Sequence, residues 1–256
     1  MGLFDKKYCD ICGERIGLLG NRKLEDGNLC KDCARKLSPW FSERRNSSVN
    51  EIKRQLEYRE ENRGRVEAFH ITRTLGSGTK LLLDEDAGLF MVTSAKNIAE
   101  ANPDVLALSD VTGCTLDVEE SSRELLHEDK DGNEVSYNPP RYEYSYDFYI
   151  IVNVNNPYFN EMRFRINPSS VEISPPPSIR PGVTLRFNPE TNAEYKKYKQ
   201  LGEEIRQILV KVRDDAREKI EQAAAPKTAV SCPYCGATTT PDASGCCEYC
   251  GGALMG

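Results

Sequence analysis

The chain has 256 residues, 39% hydrophobic and 29% charged, enough for one medium core with satellites or for two domains. No run approaches the roughly 20 apolar residues of a membrane-spanning helix. The formal net charge of -6 is uneven, with 15 Lys+Arg against 12 Asp+Glu in residues 1–70 and 10 against 18 in 71–187. The acidic middle is therefore a poor track for a phosphate backbone.

The opening MGLFDKKYCDICGE has no apolar signal core, and Lys6 stands where a myristoylation motif has Ser or Thr. The expected compartment is the cytoplasm. Eight of the ten cysteines then fall into four C-x-x-C pairs. Two such hairpins aim four thiolates at one tetrahedral metal. The first set is Cys9, Cys12, Cys30 and Cys33, with a gap that suits a zinc site. Gly13 is expected to free the turn while its own amide faces a sulfur. Redox motifs and disulfides are the competing readings, but no βαβ pattern surrounds these pairs and the expected compartment is reducing.

Pro39 and Trp40 close this module, and Trp40 with Phe41 is expected to pack on its core. Ser48 followed by Glu51 is a capping-box signature, and Val49, Ile52 and Leu56 share one helical face. The spacing predicts a helix over 48–69, weakened near Gly64, with its many charges forming a solvated face. A nucleic-acid surface made by Arg44, Arg45, Lys53, Arg54 and Arg59 is the sharper alternative.

From His70 to Phe187 the texture is that of strands: HITRTL, KLLLD, GLFMVT, VLALS, VTGCTLDVEE, RYEYSYDFYIIVNV, MRFRI and VTLRF. In the longest run Tyr142, Tyr144, Tyr146, Phe148, Ile150 and Val152 alternate onto one face. That face either stacks bases or fills a core, and the acidic flanks favour the core. HEDKDGNEVSYNPP reads as a long polar hairpin loop. A last helix follows, with Asn188 as N-cap, Pro189 at its first position and an apolar stripe from Tyr195 to Ile220. Strands followed by one amphipathic helix is the element order of pleckstrin-homology-like domains. After a short linker, Cys232, Cys235, Cys247 and Cys250 repeat C-x-Y-C-G as a small zinc ribbon. Cys246 is an alternate ligand set aside because of that repeat, and Cys114 reads as a small buried strand residue.

The predicted class is thus α+β. It comprises a four-cysteine module (1–46), a connecting helix (47–69), an antiparallel pleckstrin-homology-like barrel capped by a C-terminal helix (70–223), a linker (224–230) and a zinc ribbon (231–256). Two zinc ions per chain are implied.

The run CDICGERIGLLGNRKLEDGNLCKDCARKLSPWF resembles a bacterial zinc-binding family described as domain of unknown function 4428. The resemblance rests on the two cysteine pairs, Gly17-Leu-Leu-Gly20, and Asp26-Gly27 before Cys30. It implies architecture and metal, with a pleckstrin-homology-like region and a terminal ribbon following, and no activity.

Only two histidines are present, His70 and His127, neither at ligand or triad spacing. There is no P-loop, dinucleotide fingerprint or nucleophile elbow. The expectation is a non-catalytic adaptor whose partner is a protein or peptide. A nucleic-acid protein using Arg22, Lys23, Lys31, Arg35 and Lys36 is the alternative. Lipid binding by the barrel is disfavoured by its acidic balance.

Overall fold

A computed structural model describes residues 6–174, 187–224, 229–242 and 245–254. The chain divides into two units, Met1–Asp214 and Asp215–Gly256.

The first unit begins with two small hairpins, β1 (Lys7–Tyr8) with β2 (Arg15–Ile16) and β3 (Arg22–Lys23) with β4 (Asn28–Leu29). The short helix α1 (Lys31–Arg35) follows. Their core is Cys9, Ile16, Leu24, Leu29, Cys30, Cys33 and Leu37, closed by Ile52 of the next helix. That helix, α2 (Val49–Ala68), starts at the expected capping box: Ser48 and Glu51 exchange side-chain and backbone hydrogen bonds. It runs unbroken through Gly64.

Two antiparallel sheets follow. One has the order β5 (Arg73–Leu75), β6 (Lys80–Asp84), β7 (Leu89–Thr93), β8 (Leu106–Ala107), with the short helix α3 (Ile98–Ala101) before β8. The other is organised by a 21-residue strand, β10 (Glu134–Val154). β9 (Val111–Glu128) pairs along one edge of β10, while β11 (Glu161–Arg165) and β12 (Val171–Ile173) pair along the other. β12 was not foreseen, because its three residues are too few to show a period.

The inner faces of both sheets meet in one core. Leu81, Leu83, Phe90 and Val92 face Tyr146, Phe148, Ile150 and Val152, and Tyr195, Tyr198, Ile205 and Leu209 of α4 (Ala193–Ala224) join them. Tyr195 meets Tyr146 and Phe148 edge-on at 4.9 and 5.1 Å, so the aromatic strand face is core, with only Tyr142 exposed. Leu82 and Met91 point to the opposite face of the first sheet, where Val66 of α2 covers them. That sheet is buried on both sides, which is why KLLLD is continuously apolar rather than alternating.

Among the described residues the two sheets do not close into a barrel. Two further expectations need correction. The long polar loop is instead strand: a tight turn at 129–133 joins β9 to β10, with Asp129 Oδ1 accepting from the amides of Asp131 and Asn133 at 2.9 Å. Tyr137 to Pro140 form a bulge between register pairs Ser136–Leu126 and Arg141–Leu125, because prolines cannot donate to a ladder. Asn188 caps only a 3-10 turn, Pro189–Thr191, and Asn192 is the true cap of α4, accepting from Glu194 and Tyr195 at 2.8 and 3.0 Å. The predicted strand VTLRF lies outside the described residues except for Phe187, which stacks on Tyr144 at 6.2 Å. So do the side chains of Val212, Ala216 and Ile220.

The second unit holds the hairpin β13 (Val230–Ser231) with β14 (Thr238–Thr239). A bridge from Cys246 to Ala253 organises its other half. No described helix is long and apolar enough to cross a membrane.

Candidate metal centres

Three of the four cysteine pairs fold identically. In Cys9–Gly13, Cys232–Gly236 and Cys247–Gly251 the glycine amide donates to the first cysteine's carbonyl at 2.8–2.9 Å. The glycine takes φ of 74, 75 and 70° respectively, a left-handed turn that a side chain would strain. The expectation that the Gly13 amide faces a sulfur is therefore corrected. The amide facing the Cys12 sulfur is that of Glu14, and Ala237 and Gly252 do the same for Cys235 and Cys250.

The fourth pair is built differently. Cys30 is the N-cap of α1, its sulfur accepting from the Cys33 amide at 3.3 Å while its own amide donates to Cys9 Sγ at 3.3 Å.

The result is two clusters whose members are the eight predicted cysteines, each with its sulfurs within 4.8 Å of one another. A tetrahedron with 2.3 Å Zn–S bonds has S–S edges of about 3.8 Å. The observed separations of 3.8 Å for Cys12–Cys30, 3.5 Å for Cys232–Cys250 and 3.7 Å for Cys235–Cys247 match that edge. None of the eight clustered cysteines is in a disulfide, so the C-x-x-C pairs are not disulfides.

The electrostatics agree with a cation site. Burial works to raise the Cys9 thiol, yet the amides of Cys12, Cys30 and Ile11 bring it down to about 7. Cys232 is held at about 6 by the amides of Cys235 and Tyr234, again against burial. Cys33 is pushed far up, by burial first and then by the neighbouring thiols. At Cys250 the Gly252 amide favours the thiolate, but Cys235 and Cys232 drive it up to about 12. Four thiolates this close repel one another, and a divalent ion supplies the charge that lets all four ionise. Four sulfurs close the shell, so such an ion is a cross-link with no open position for substrate.

Cys246 lies outside the second cluster, and its amide donates to Asp242 Oδ1 at 2.9 Å. Cys114 is a half-buried residue of β9 whose thiol burial pushes up to about 12. His70 and His127 lie on separate elements: the His70 amide donates to Asp84, and His127 stacks on Tyr137.

A second constellation, invisible in the sequence, joins the first module to the sheets. The buried stripe of α2 is Ile52, Gln55, Arg59, Asn62 and Val66, three of them polar. Arg59 Nη1 donates to Asp104 Oδ1 at 2.7 Å, Nε to the Lys36 carbonyl at 3.2 Å, and Nη2 to the Asn102 carbonyl. Ser38 Oγ donates to the other Asp104 oxygen at 2.8 Å. Asn62 donates to Asn102 Oδ1 and the Pro103 carbonyl, and accepts from the Val105 amide. Arg59 thus touches the end of the cysteine module and the loop leading into β8. It is removed from any nucleic-acid surface, and Arg35 is paired with Asp32.

Trp40 also differs from expectation. Phe41 packs on the module core, whereas Trp40 leaves it for the sheet core, meeting Phe164 edge-on at 6.5 Å. Beside Trp40 lies a groove of about 670 Å³, lined by Pro39, Glu43, Pro157, Tyr158 and Arg163 among others. Tyr58 of α2 braces its wall, 5.1 Å from Tyr158.

Comparison with curated proteins returned no match, and comparison with solved structures returned none. Residues 7–55, from β1 through the first turns of α2, match a domain of unknown function, DUF4428.

Proposed function

We propose that the chain is a non-catalytic, zinc-stabilised adaptor that binds a protein or peptide. Two structural zinc ions brace the modules that precede and follow a pleckstrin-homology-like body along the chain. The order of the body supports that likeness: a four-stranded antiparallel sheet, a second sheet, and then a helix on their shared core.

The observation that carries the reading is the buried Arg59–Asp104–Ser38 junction. It fixes the first module against the sheets, so the groove at Trp40 and Tyr158 has preformed walls. Preorganised clefts with aromatic walls and a few polar groups are what peptide recognition uses. Arg163 and Glu43 supply the polar groups, and Pro39 and Pro157 keep the rim stiff. The working location is the cytoplasm, where thiolates stay reduced for metal.

The test is affinity capture of the tagged full chain from its native cell extract, with and without nuclease, alongside Tyr158→Ala and Glu43→Arg. Partners that survive nuclease and are lost with both variants, at unchanged metal content, support the adaptor. Recovery that collapses with nuclease and ignores both variants overturns it. The function then moves to nucleic acid through the basic N-terminal module, where burial first, and then the neighbouring Arg22 and Arg45, depress the Arg44 guanidinium.

A further inference from the structure

The turn Gly17-Leu18-Leu19-Gly20 connects β2 to β3 in the first module, and it carries a feature the groove does not explain. Leu18 is 89% exposed and Leu19 87%, the two most exposed large hydrophobic side chains described. The module does not need them for its own core, which is filled by Ile16, Leu24 and Leu29. Ile16 packs directly under Gly20, where an added Cβ would meet its Cγ2 at 3.3 Å. The tip is thus a short, braced turn anchored between metal-ligand segments, with two leucines facing solvent.

The surroundings of the tip are cationic. Arg22 Nη1 lies 3.5 Å from the Leu19 carbonyl, and Arg44 Nη1 donates to the Lys23 carbonyl at 2.7 Å. Arg45 follows Arg44 on the same 3-10 turn. Lys7 faces Ile16 across the β1–β2 pair, and Arg15 faces Tyr8. Among the described residues none of Lys7, Arg15, Arg22, Lys23, Arg44 and Arg45 is in an ion pair, although twelve ion pairs occur elsewhere. The nearby carboxylates are partly occupied: Asp26 accepts from the Val49 amide and Glu43 from Asn46. Glu14 and Glu25 remain.

We propose that this tip docks on an anionic lipid surface, with Leu18 and Leu19 entering the interfacial layer while Arg22, Arg44 and Arg45 meet the headgroups. Phosphate backbones also attract cations, but they offer nothing to two exposed leucines. An interface with an apolar layer just beneath an anionic one satisfies both halves of the feature. The acidic middle of the chain does not bear on this, since the tip belongs to the basic first 70 residues. The proposal is independent of the groove: a lipid-docked tip and a peptide-filled groove use different residues.

The experiment is co-sedimentation of the metal-loaded full chain with vesicles of phosphatidylcholine alone and of phosphatidylcholine mixed with phosphatidylglycerol. Binding is expected only to the mixed vesicles, weakening as salt is raised. Leu18→Ser with Leu19→Ser should weaken it about tenfold or more. Arg22→Gln with Arg45→Gln should weaken it by a similar factor and flatten the salt dependence. Two metal ions per chain and unchanged Trp40 fluorescence in each variant certify the fold. No binding to the mixed vesicles, or binding indifferent to the leucines, overturns the proposal. Salt-sensitive binding to duplex DNA without vesicle binding does so in favour of nucleic acid.

Discussion

Replacing Arg59 with methionine tests the junction most directly. The side chains of Arg59 and Asp104 are 7% and 0% exposed, so solvent screens their attraction little. Methionine keeps most of the aliphatic volume but leaves the Asp104 carboxylate with Ser38 as its remaining side-chain partner, and orphans the Lys36 and Asn102 carbonyls. Breaking a buried pair by removing one member costs about 3–5 kcal/mol, because a charge is left without compensation. For a unit of this size, each kcal/mol lowers the melting temperature by about 2–4 °C, so the expected fall is roughly 6–20 °C. The chain has one tryptophan, and Trp40 sits two residues from Ser38 with its amide donating to the Ser38 hydroxyl at 3.2 Å. Urea titration followed by tryptophan emission therefore reads the junction itself. Arg59→Met with Asp104→Leu removes both charges and should recover about 1–2 kcal/mol of the loss. A single variant less than about 1 kcal/mol weaker than the wild type would refute the reasoning, as would a double variant no more stable than the single.

The metal sites yield sharper integers. Cys12→Ser or Cys30→Ser should lower the metal content from two ions per chain to one and loosen the first module, with the sheets still folded by circular dichroism. Cys246→Ser should keep both ions while Cys247→Ser loses one, as mass spectrometry under native conditions can count. Gly27→Ala places a Cβ 2.5 Å from Val49 Cγ2 and 2.8 Å from Asp10 Oδ2, so it should destabilise the first module by about 1–3 kcal/mol in the same urea titration.

The two four-cysteine clusters were legible because their spacing is local: a C-x-x-C hairpin carries its geometry within five residues, and at three of the four pairs the glycine after it betrays the left-handed turn. The capping box of α2 and the alternation of β10 were legible for the same reason, each being a short-range pattern with a physical period. Asp26-Gly27 is the opposite case, its partners lying far along the chain: Asp26 accepts from the Val49 amide at the start of α2, and Gly27 lets Val49 and Asp10 approach. What escaped were features that depend on a partner far along the chain. Trp40 looked like a module residue because its sequence neighbours are, and only the fold brings Phe164 to it. The β9–β10 arm looked like loop because its residues are polar on both faces, as befits a two-stranded ribbon in solvent.

The middle of α2 is the most instructive of these cases. A helix that buries Gln55, Arg59 and Asn62 reads as solvated, because the apolar period stops at Leu56 and resumes at Val66. Yet the spacing of the buried positions, 52, 55, 59, 62 and 66, keeps the helical period without a break. The face facing inward changes chemistry where it meets a loop rather than a sheet. At either end it touches apolar cores, the cysteine module at Ile52 and the sheet at Val66. In between it meets the carbonyls of Asn102 and Pro103, backbone acceptors that a leucine would bury unpaired. Arg59 and Asn62 satisfy a loop that enters the sheet without a ladder of its own, whereas the buried Gln55 carboxamide makes no hydrogen bond to it. The same choice makes the docking of the module directional, since a guanidinium fork and a carboxamide fit those acceptors in one orientation while apolar contacts would tolerate several. A rigid placement of the cysteine module beside the groove is what this polar stripe secures.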